Sequence, residues 1–544
     1  MAKKNYDAII VGSGHNGLVT ANYLQRSGLS TLVIEKTAHI GGATTSLSYY
    51  KTEEQDWLYS NCSYVCSLFR SEIWRDLNLG QFGLQVIPYE SGGVMVDNGR
   101  DYFSTYADHW AQRREIARHN INDVDNYERA SQFLTRQARF IKDLLLRTPP
   151  DPVKLHIRDI SEIIYLAKKY SDLSAKDMAE MIRFFTISAG DFAQEYFEIP
   201  ALQSLYAGSG IIGSGMSVFS PGTAYVLLHH FMGDVDGVYA AWGYARGGMG
   251  AISKALAKSY QSVAGQILTG NGIKEFLVKG DRINGVVCEN GDTYHAKTIV
   301  SGMDVRQTFI NHLSPHHLPD DFVKAVSQFK FRGSSGKINV ALDGMPQFTA
   351  IPDGAACLAG DLHMEDNLDV YEQSYDDWRR GNWSRRPYID MLFGSVIDPT
   401  MAPPGKHIAS FFVQYVPYEL SNGRVWNQEN KQAFADTVIN SVSRYCDIKD
   451  KILHMEIRTP ADIEREVGLT EGNIFQGELS LDQLFFNRPV PGYAQYRTPI
   501  KGLYLCSASA HPGGGVMGAN GANAAREILK DLKKPKNGIA MNTQ

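Results

Sequence analysis

DAIIVGSGHNGL, residues 7–18, decides the fold of the N-terminal part of the chain. Its first five residues read as a strand that is buried on both faces of a sheet. Three glycines follow at the spacing G-x-G-x-x-G. In this pattern Gly12 permits a tight turn, Gly14 lets the backbone approach a pyrophosphate, and Gly17 lets a helix lie close to the strand. The free N–H groups at the start of such a helix favour a phosphate anion.

A second apolar strand, Thr31–Ile34, follows the predicted helix and ends in Glu35. This carboxylate comes 18 residues after Gly17, near the spacing at which an acidic residue accepts hydrogen bonds from ribose hydroxyls. A purely structural βαβ unit would not need these features in this order. The N-terminal unit is therefore predicted to bind a dinucleotide.

The cofactor is predicted to be FAD. A glycine pair follows the acid within KTAHIGGA, and it resembles the second fingerprint of the glutathione-reductase-like FAD proteins. The predicted FAD contacts in this region are Gly12, Gly14, His15, Asn16, Gly17, Glu35, Lys36, Gly41, Gly42 and Ala43.

Two further glycine patterns have to be weighed. Gly208, Gly210 and Gly213 repeat the spacing, but Pro200 precedes them and Pro221 leaves little room for a receiving helix, so we expect a loop there. HPGGGVMGANGANAAREIL, residues 511–529, follows a strand-like run and leads into an Ala-rich helix. Its helix N-terminus is predicted to complete the FAD site, with contacts from Ser507, Gly514, Gly515, Val516 and Met517.

Between these segments, residues 266–301 contain short β-rich runs broken by Asn-Gly and Gly-Asp turns. They predict a β-meander of the FAD domain, with Ile273 beside the adenine. The segment WGYARGGMG, residues 242–250, belongs to the family resemblance described next, which implies three more contacts, Gly247, Gly248 and Met249.

With these segments the chain resembles the phytoene-desaturase-related flavoproteins. The resemblance extends over SPGTAYVLLHH (220–230), DPTMAPPGKH (398–407) and SLDQLFFNRPVPGY (480–493). It implies an α/β fold: a glutathione-reductase-like FAD-binding Rossmann domain with an inserted mixed α+β substrate domain. The FAD domain would comprise residues 1–104, 241–309 and 481–535, the substrate domain 105–240 and 310–480, and a C-terminal tail 536–544.

The resemblance implies an oxidoreductase that passes hydride from an apolar isoprenoid, carotenoid or lipid-like substrate to FAD, and then to oxygen or a quinone. Oxidation of a small or methylated amine is the alternative, and a non-catalytic FAD-binding protein is a third. Dithiol chemistry is not expected, because no cysteine follows the Gly-Gly pair. His511 is the first candidate for proton transfer, and Trp242 and Tyr244 are candidates for an aromatic wall.

Composition narrows the remaining classes. The 544 residues carry a net charge of −5 without a basic block, which argues against a nucleic-acid partner. Six scattered cysteines predict neither a disulfide framework nor a metal site, and favour a cytoplasmic protein. No apolar run approaches the roughly 20 residues that span a bilayer, which leaves peripheral membrane contact open. The sequence does not predict the oligomeric state.

Overall fold

A computed structural model describes residues 4–52, 56–97, 99–152, 159–235 and 237–533 of the chain. The predicted C-terminal tail, 536–544, lies outside these residues. In the described part of the chain, no helix is both long enough and apolar enough to cross a membrane.

The strands are short and form two large sheets and several small ones. Their bounds are β1 Ala8–Val11, β2 Thr31–Ile34, β3 Ser46–Lys51, β4 Asp56–Ser60, β5 Val86–Pro88, β6 Ser91–Met95, β7 Tyr102–Tyr106, β8 Asp234–Val235, β9 Val238–Tyr239, β10 Gly243–Ala245, β11 Gln266–Leu268, β12 Ile273–Lys279, β13 Arg282–Cys288, β14 Thr293–His295, β15 Thr298–Ser301, β16 Ser335–Leu342, β17 Leu362–His363, β18 Tyr388–Leu392, β19 His407–Gln414, β20 Ile452–Arg458 and β21 Leu503–Leu505.

The helices lie around and between the two sheets. Their bounds are α1 His15–Arg26, α2 Ser71–Asp76, α3 His109–His119, α4 Asp123–Leu145, α5 Ile160–Ser171, α6 Ala175–Thr186, α7 Ala189–Tyr196, α8 Pro200–Ser209, α9 Thr223–Phe231, α10 Gly250–Gln261, α11 Asp320–Gln328, α12 Leu368–Arg379, α13 Gly394–Ile397, α14 Gln428–Val442, α15 Pro460–Val467 and α16 Ala519–Asp531.

The first large sheet is parallel and has the strand order β11-β2-β1-β15-β21. Its central strands are buried on both faces, as their continuous apolar sequences predict. Helix α1 packs between α10 and α16, where Asn22 Nδ2 donates to Leu256 O and Thr20 Oγ1 donates to Gly521 O, each at 3.0 Å. The βαβ unit and the strand-to-helix character of the closing segment are therefore confirmed.

The second large sheet is mostly antiparallel, with the order β20-β16-β19-β18-β17-β6-β7. Its side chains alternate between two cores. Phe412 packs toward α4 and α7–α9, whereas Phe411 and Val413 pack toward α14. We call this sheet and its helices the substrate domain, after the role that the resemblance predicts for this part of the chain.

The sheet and core memberships differ from the predicted domain boundaries at two places. Strand β6 pairs with β17 of the second sheet, so the chain enters the substrate domain near residue 91 and not after 104. Residues 313–331 pack in the same core as the parallel sheet, so the chain stays in the FAD domain beyond 309. Both differences arise because pairing with distant strands, and not a local sequence signal, assigns these segments.

The other glycine pattern behaves partly as predicted. Gly208 lies in the last turn of α8, and no strand precedes it, which excludes a second dinucleotide site there in the described residues. The expected loop is shorter than predicted, because α9 begins directly after Pro221 and Gly222. The meander is present as the antiparallel sheet β12-β13-β14.

Candidate active site

The loop between β1 and α1 forms a cradle for a phosphate group. Gly12 has φ +95°, in the left-handed region, and a Cβ on Gly17 would lie 2.3 Å from Gly12 O. A Cβ on Gly14 would meet no atom within 4 Å, because this glycine faces open space. The three glycines thus serve a turn, a close helix approach and a free backbone surface, as their spacing predicts.

Glu35 closes one side of this cradle. Its Oε2 accepts the backbone N–H of Ser13 at 2.9 Å, and its Oε1 accepts that of Thr37 at 2.9 Å. The carboxylate is buried and lines the same cavity as the glycines. These bonds fix the carboxylate at the end of β2, where ribose hydroxyls of a dinucleotide would reach it.

The Gly41-Gly42 pair lies directly against the first loop, since Gly14 and Gly41 form a parallel β-bridge. Beside them Asn16 is buried, and its Oδ1 has no hydrogen-bond partner in the described part of the chain. Such an acceptor costs free energy unless a ligand or water satisfies it. This acceptor and the open face of Gly14 both fit a bound dinucleotide.

The closing segment lies across the cradle from the C-terminal side. Gly514, Gly515 and Val516 line the cavity ahead of α16, and His229 Nε2 lies 2.8 Å from Gly514 O. Burial lowers the pKa of His229 to about 3, so its ring is neutral. Arg488 links the closing segment to residues 475–483. Its guanidinium donates to the carbonyl oxygens of Phe475, Gly477, Glu478, Gln483 and Ala508.

One cavity of about 1070 Å³ joins the cradle to the substrate domain. One part of its wall in the substrate domain is largely aliphatic and aromatic and comes from α4, α8, α9 and the segment before β10. We call this part the apolar arm, and define it by Tyr127, Leu202, Leu205, Tyr206, Ile212, Phe231 and Trp242.

Most of the residues predicted from the sequence lie on this cavity wall. They are Gly12, Gly14, His15, Asn16, Gly17, Glu35, Lys36, Gly41, Gly42, Ala43, Ile273, Gly514, Gly515, Val516 and, from the aromatic candidates, Trp242.

His511 and Tyr244 lie away from the wall. The Nε2 atom of His511 is 3.0 Å from Leu144 O, and burial lowers the pKa of the imidazole to about 4. Tyr244 is buried with its hydroxyl against Gly394. The structure therefore gives both residues a packing environment and does not bring them to the cavity where we expected them.

Gly247, Gly248 and Met249 also lie behind the wall. The Gly247 N–H donates to Asp398 Oδ2 at 2.7 Å, and the Met249 N–H donates to Ser60 Oγ at 3.0 Å. They join the start of α10 to β4 and to the loop after α13. In the closing segment, Ser507 O and Met517 O accept hydrogen bonds from Asn520 Nδ2 and from the backbone of Arg70.

The sequence did not reveal a cluster of charged side chains on the cavity wall, which we call the polar cluster: Tyr64, Lys337, Asp361, His363 and Asp390. The Tyr64 hydroxyl donates to Asp390 Oδ2 at 2.5 Å, and Lys337 Nζ lies 4.1 Å from the centre of the Tyr64 ring. Among the described residues, Lys337 Nζ and one oxygen of each carboxylate have no hydrogen-bond partner. A lysine within the apolar strand SGKINVAL was the one available signal.

Burial sets the protonation of this cluster. It lowers the pKa of Lys337 to about 7, an effect that the nearby carboxylates Asp361 and Asp390 partly oppose. Burial also raises the pKa of both carboxyl groups, and the charge of Asp390 adds to the increase at Asp361. Near neutral pH the cluster can hold or release a proton at the wall of the cavity. The described residues hold no group of three or more His, Cys, Asp or Glu side chains suited to a metal ion.

Comparison with known proteins shows the family to which the chain belongs. The profile of the family described as flavin containing amine oxidoreductase matches residues 86–428. The chain belongs to the flavin containing amine oxidoreductase family. Within this flavoenzyme family it is 36% identical over 561 residues to pyridine nucleotide-disulfide oxidoreductase domain-containing protein 2 of Rattus norvegicus, covering 98% of this chain and 94% of the relative. A profile for an NAD(P)-binding Rossmann-like domain matches residues 10–75 of the flavoenzyme.

More distant relatives agree with this assignment. Prolycopene isomerase 1 of an Oncidium hybrid cultivar is 24% identical over 97% of this chain and 84% of its own length. This confirms the resemblance to phytoene-desaturase-related flavoproteins. The solved structure of putrescine oxidase with putrescine has a TM-score of 0.57 and 13% identity, covering 97% of this chain and 99% of that one, which supports the fold.

The flavoenzyme is therefore an FAD-dependent oxidoreductase. Its cradle fits the cofactor by three observations already described: the open face of Gly14, the buried carboxylate of Glu35 and the unsatisfied Oδ1 of Asn16. When bound, FAD supplies the capacity to accept a hydride from carbon.

Proposed function

We propose that this flavoenzyme oxidises an apolar isoprenoid or lipid-like molecule by hydride transfer to FAD. The observation that carries the proposal is the continuity of the cavity, which leads from the dinucleotide cradle into the apolar arm. Desolvating an apolar substrate in that arm is favourable in proportion to the buried area. A small polar substrate would gain little from such walls.

The apolar arm would bind and orient the substrate. Leu202, Leu205 and Tyr206 on α8 form one wall, and Trp242 stacks on His230 with ring centres 5.9 Å apart. These rigid side chains would exclude water from the reacting carbon. A hydride donor needs such positioning more than it needs a dedicated nucleophile.

Desaturation removes a proton from the substrate as well as a hydride, and the polar cluster would accept this proton. The Nζ atom of Lys337, with its pKa lowered to about 7, is partly neutral at physiological pH and could accept that proton. The hydrogen bond from the Tyr64 hydroxyl would hold the Asp390 carboxyl group in place near this amine. The relative named prolycopene isomerase 1 supports a similar substrate class here.

We propose oxygen or a quinone as the electron acceptor.

We propose that the protein is cytoplasmic and binds peripherally to a membrane. Helix α5 supports membrane contact, because Ile160 is 50% and Ile164 62% exposed, and the exposed Lys168 follows on the same helix. Apolar side chains with flanking cations are typical of helices that lie on anionic bilayers. Flotation with phosphatidylserine vesicles should recover the protein, and Ile164→Glu should remove it from the floating fraction.

Amine oxidation remains the second candidate, because two carboxylates lie on the wall, the buried Asp390 and the half-buried Asp361. A substrate ammonium group could pair with them. The family to which the chain belongs, described as flavin containing amine oxidoreductase, also supports this candidate.

Anaerobic bleaching of the flavin absorption distinguishes the two candidates. We expect isoprenoid hydrocarbons and long-chain lipids to bleach the flavin, while methylated and primary amines leave it oxidised. Bleaching by amines alone would transfer the assignment to the second candidate. If neither panel bleaches a flavin that dithionite still reduces, both candidates are wrong.

A further inference from the structure

Two cations face each other across the second sheet. Lys337 on β16 and Arg458 on β20 are direct partners in the antiparallel register, and they are only 2% and 3% exposed. Like charges directly opposite on neighbouring strands repel each other, and burial strengthens the repulsion. A fold retains such a pair at a net cost unless something neutralises it.

Neutralisation within the protein is incomplete. Arg458 Nε donates to Glu466 Oε2 at 2.8 Å, and the guanidinium lies 4.6 Å from the Tyr49 ring centre. Arg458 Nη1 and Lys337 Nζ nevertheless have no hydrogen-bond acceptor among the residues that the structure describes. Two buried donors from opposite strands are thus available to one ligand.

Both donors lie on the wall of the main cavity, in a part we call the cationic arm. It lies between the hairpin β3–β4, strand β20 and helix α15, and is formed by Tyr49, Cys62, Lys337, Arg458, Ile463 and Glu466. Tyr49 is 40% exposed, so this arm reaches the surface. It leaves the flavin region through different elements from those of the apolar arm.

We propose that Arg458 binds a carboxylate in the cationic arm, with Lys337 beside it on the neighbouring strand, and that the apolar substrate itself carries this group. A guanidinium fork matches the two oxygens of a carboxylate. Glu456 and Glu466 also line the arm and offset the charge of the two cations, which disfavours a phosphate dianion more than a single negative charge. This inference deepens the proposed function and rests on it for the apolar chain.

Isothermal titration of the full-length, FAD-loaded protein with dodecanoate, dodecanol and acetate tests the proposal. We expect dodecanoate to bind more tightly than dodecanol by about 10- to 100-fold, the range of a charge-assisted hydrogen-bond pair. Arg458→Gln should remove this preference, and Arg458→Lys should restore part of it. Arg380→Gln, at an exposed arginine directly after α12, is the matched control and should bind as wild type does.

Glu466→Gln gives a test that does not depend on the stability of the Arg458 variants. Glu466 competes for the guanidinium, so its neutralisation should strengthen dodecanoate binding several-fold, whereas a purely structural Arg458 would give no change. Equal binding of dodecanoate and dodecanol, or of dodecanoate to wild type and Arg458→Gln, would overturn the proposal. Acetate binding as tight as that of dodecanoate would overturn the substrate source and assign the site to a small free carboxylate.

Because binding is measured without turnover, the two proposals can fail separately. Charge-selective dodecanoate binding in a protein whose flavin no substrate bleaches would retain the carboxylate site and remove the proposed function.

Discussion

Replacing Gly14 by alanine should separate cofactor binding from folding. The backbone of Gly14 has φ −59° and ψ 162°, which alanine adopts without strain, and its Cβ would meet no protein atom within 4 Å. Losing a glycine from the unfolded chain stabilises a protein by about 0.4–1 kcal/mol at a compatible site. The apoprotein of Gly14→Ala should therefore be as stable as wild type or slightly more stable.

FAD affinity should fall in the same variant. The added methyl group occupies the open face against which the pyrophosphate is expected to lie, and inserting a methyl group into a packed contact costs about 1–3 kcal/mol. This corresponds to an increase in Kd of about 5- to 100-fold. Fluorescence titration of the apoprotein with FAD gives the Kd, and thermal melting without FAD gives the stability.

Gly17→Ala is the matched control. Its Cβ would lie 2.3 Å from Gly12 O and 3.3 Å from Ile10 Cγ2, so α1 must move away from β1. This variant should lose apoprotein stability as well as FAD affinity. If Gly14→Ala binds FAD with the wild-type Kd, the backbone at Gly14 does not approach the cofactor and our interpretation of the cradle is wrong.

Three further predictions concern the cavity and the closing segment. The folded state lowers the pKa of Lys337 from its ordinary value of 10.5 to about 7, so the neutral amine is lost below pH 7. The rate of flavin reduction should therefore rise with pH to a plateau above pH 7. In stopped-flow traces between pH 5.5 and 9, Lys337→Met should reduce the flavin about 100-fold more slowly and show no such rise. His511→Asn should lower the free energy of unfolding by about 1–3 kcal/mol while the flavin reduction rate stays close to wild type, because His511 packs against Leu144 and lies off the cavity; a rate loss as large as that of Lys337→Met would restore its catalytic role. Arg488→Met removes the side-chain donor of five carbonyl oxygens, of which Glu478 O keeps a hydrogen bond from Gln483 Nε2. It should lower the urea-derived free energy of unfolding by at least about 3 kcal/mol, and a loss below about 1 kcal/mol would show that these hydrogen bonds contribute little.

The cofactor cradle could be predicted from the sequence because its parts are close together along the chain. A buried strand, three glycines, a helix and Glu35 lie within residues 7–35, and their order alone indicates the fold. The closing segment follows the same local logic. Its contacts with the first loop required only that both segments belong to one parallel sheet.

The polar cluster and the cationic arm could not be predicted in this way. Lys337, Asp390 and Arg458 come from three strands separated by more than 50 residues each, and their proximity depends on the strand order of the second sheet. That order is a long-range property without a local signal. The same reason explains why the predicted boundary after residue 104 differs from the sheet in which β6 lies.

The rate of anaerobic flavin bleaching by an isoprenoid hydrocarbon, compared between wild type and Leu205→Arg, tests the central claim most directly. Leu205 lies on the apolar arm, so an arginine there should exclude the substrate. Dithionite should still reduce the flavin of this variant. The matched control is Leu453→Arg, at an exposed leucine of β20, whose flavin should be bleached at the wild-type rate. We predict rapid bleaching in wild type and in the control, and a loss of at least tenfold in Leu205→Arg. Equal rates in all three proteins would show that the substrate does not reach FAD through this arm, and the absence of bleaching in wild type would contradict the proposed substrate class.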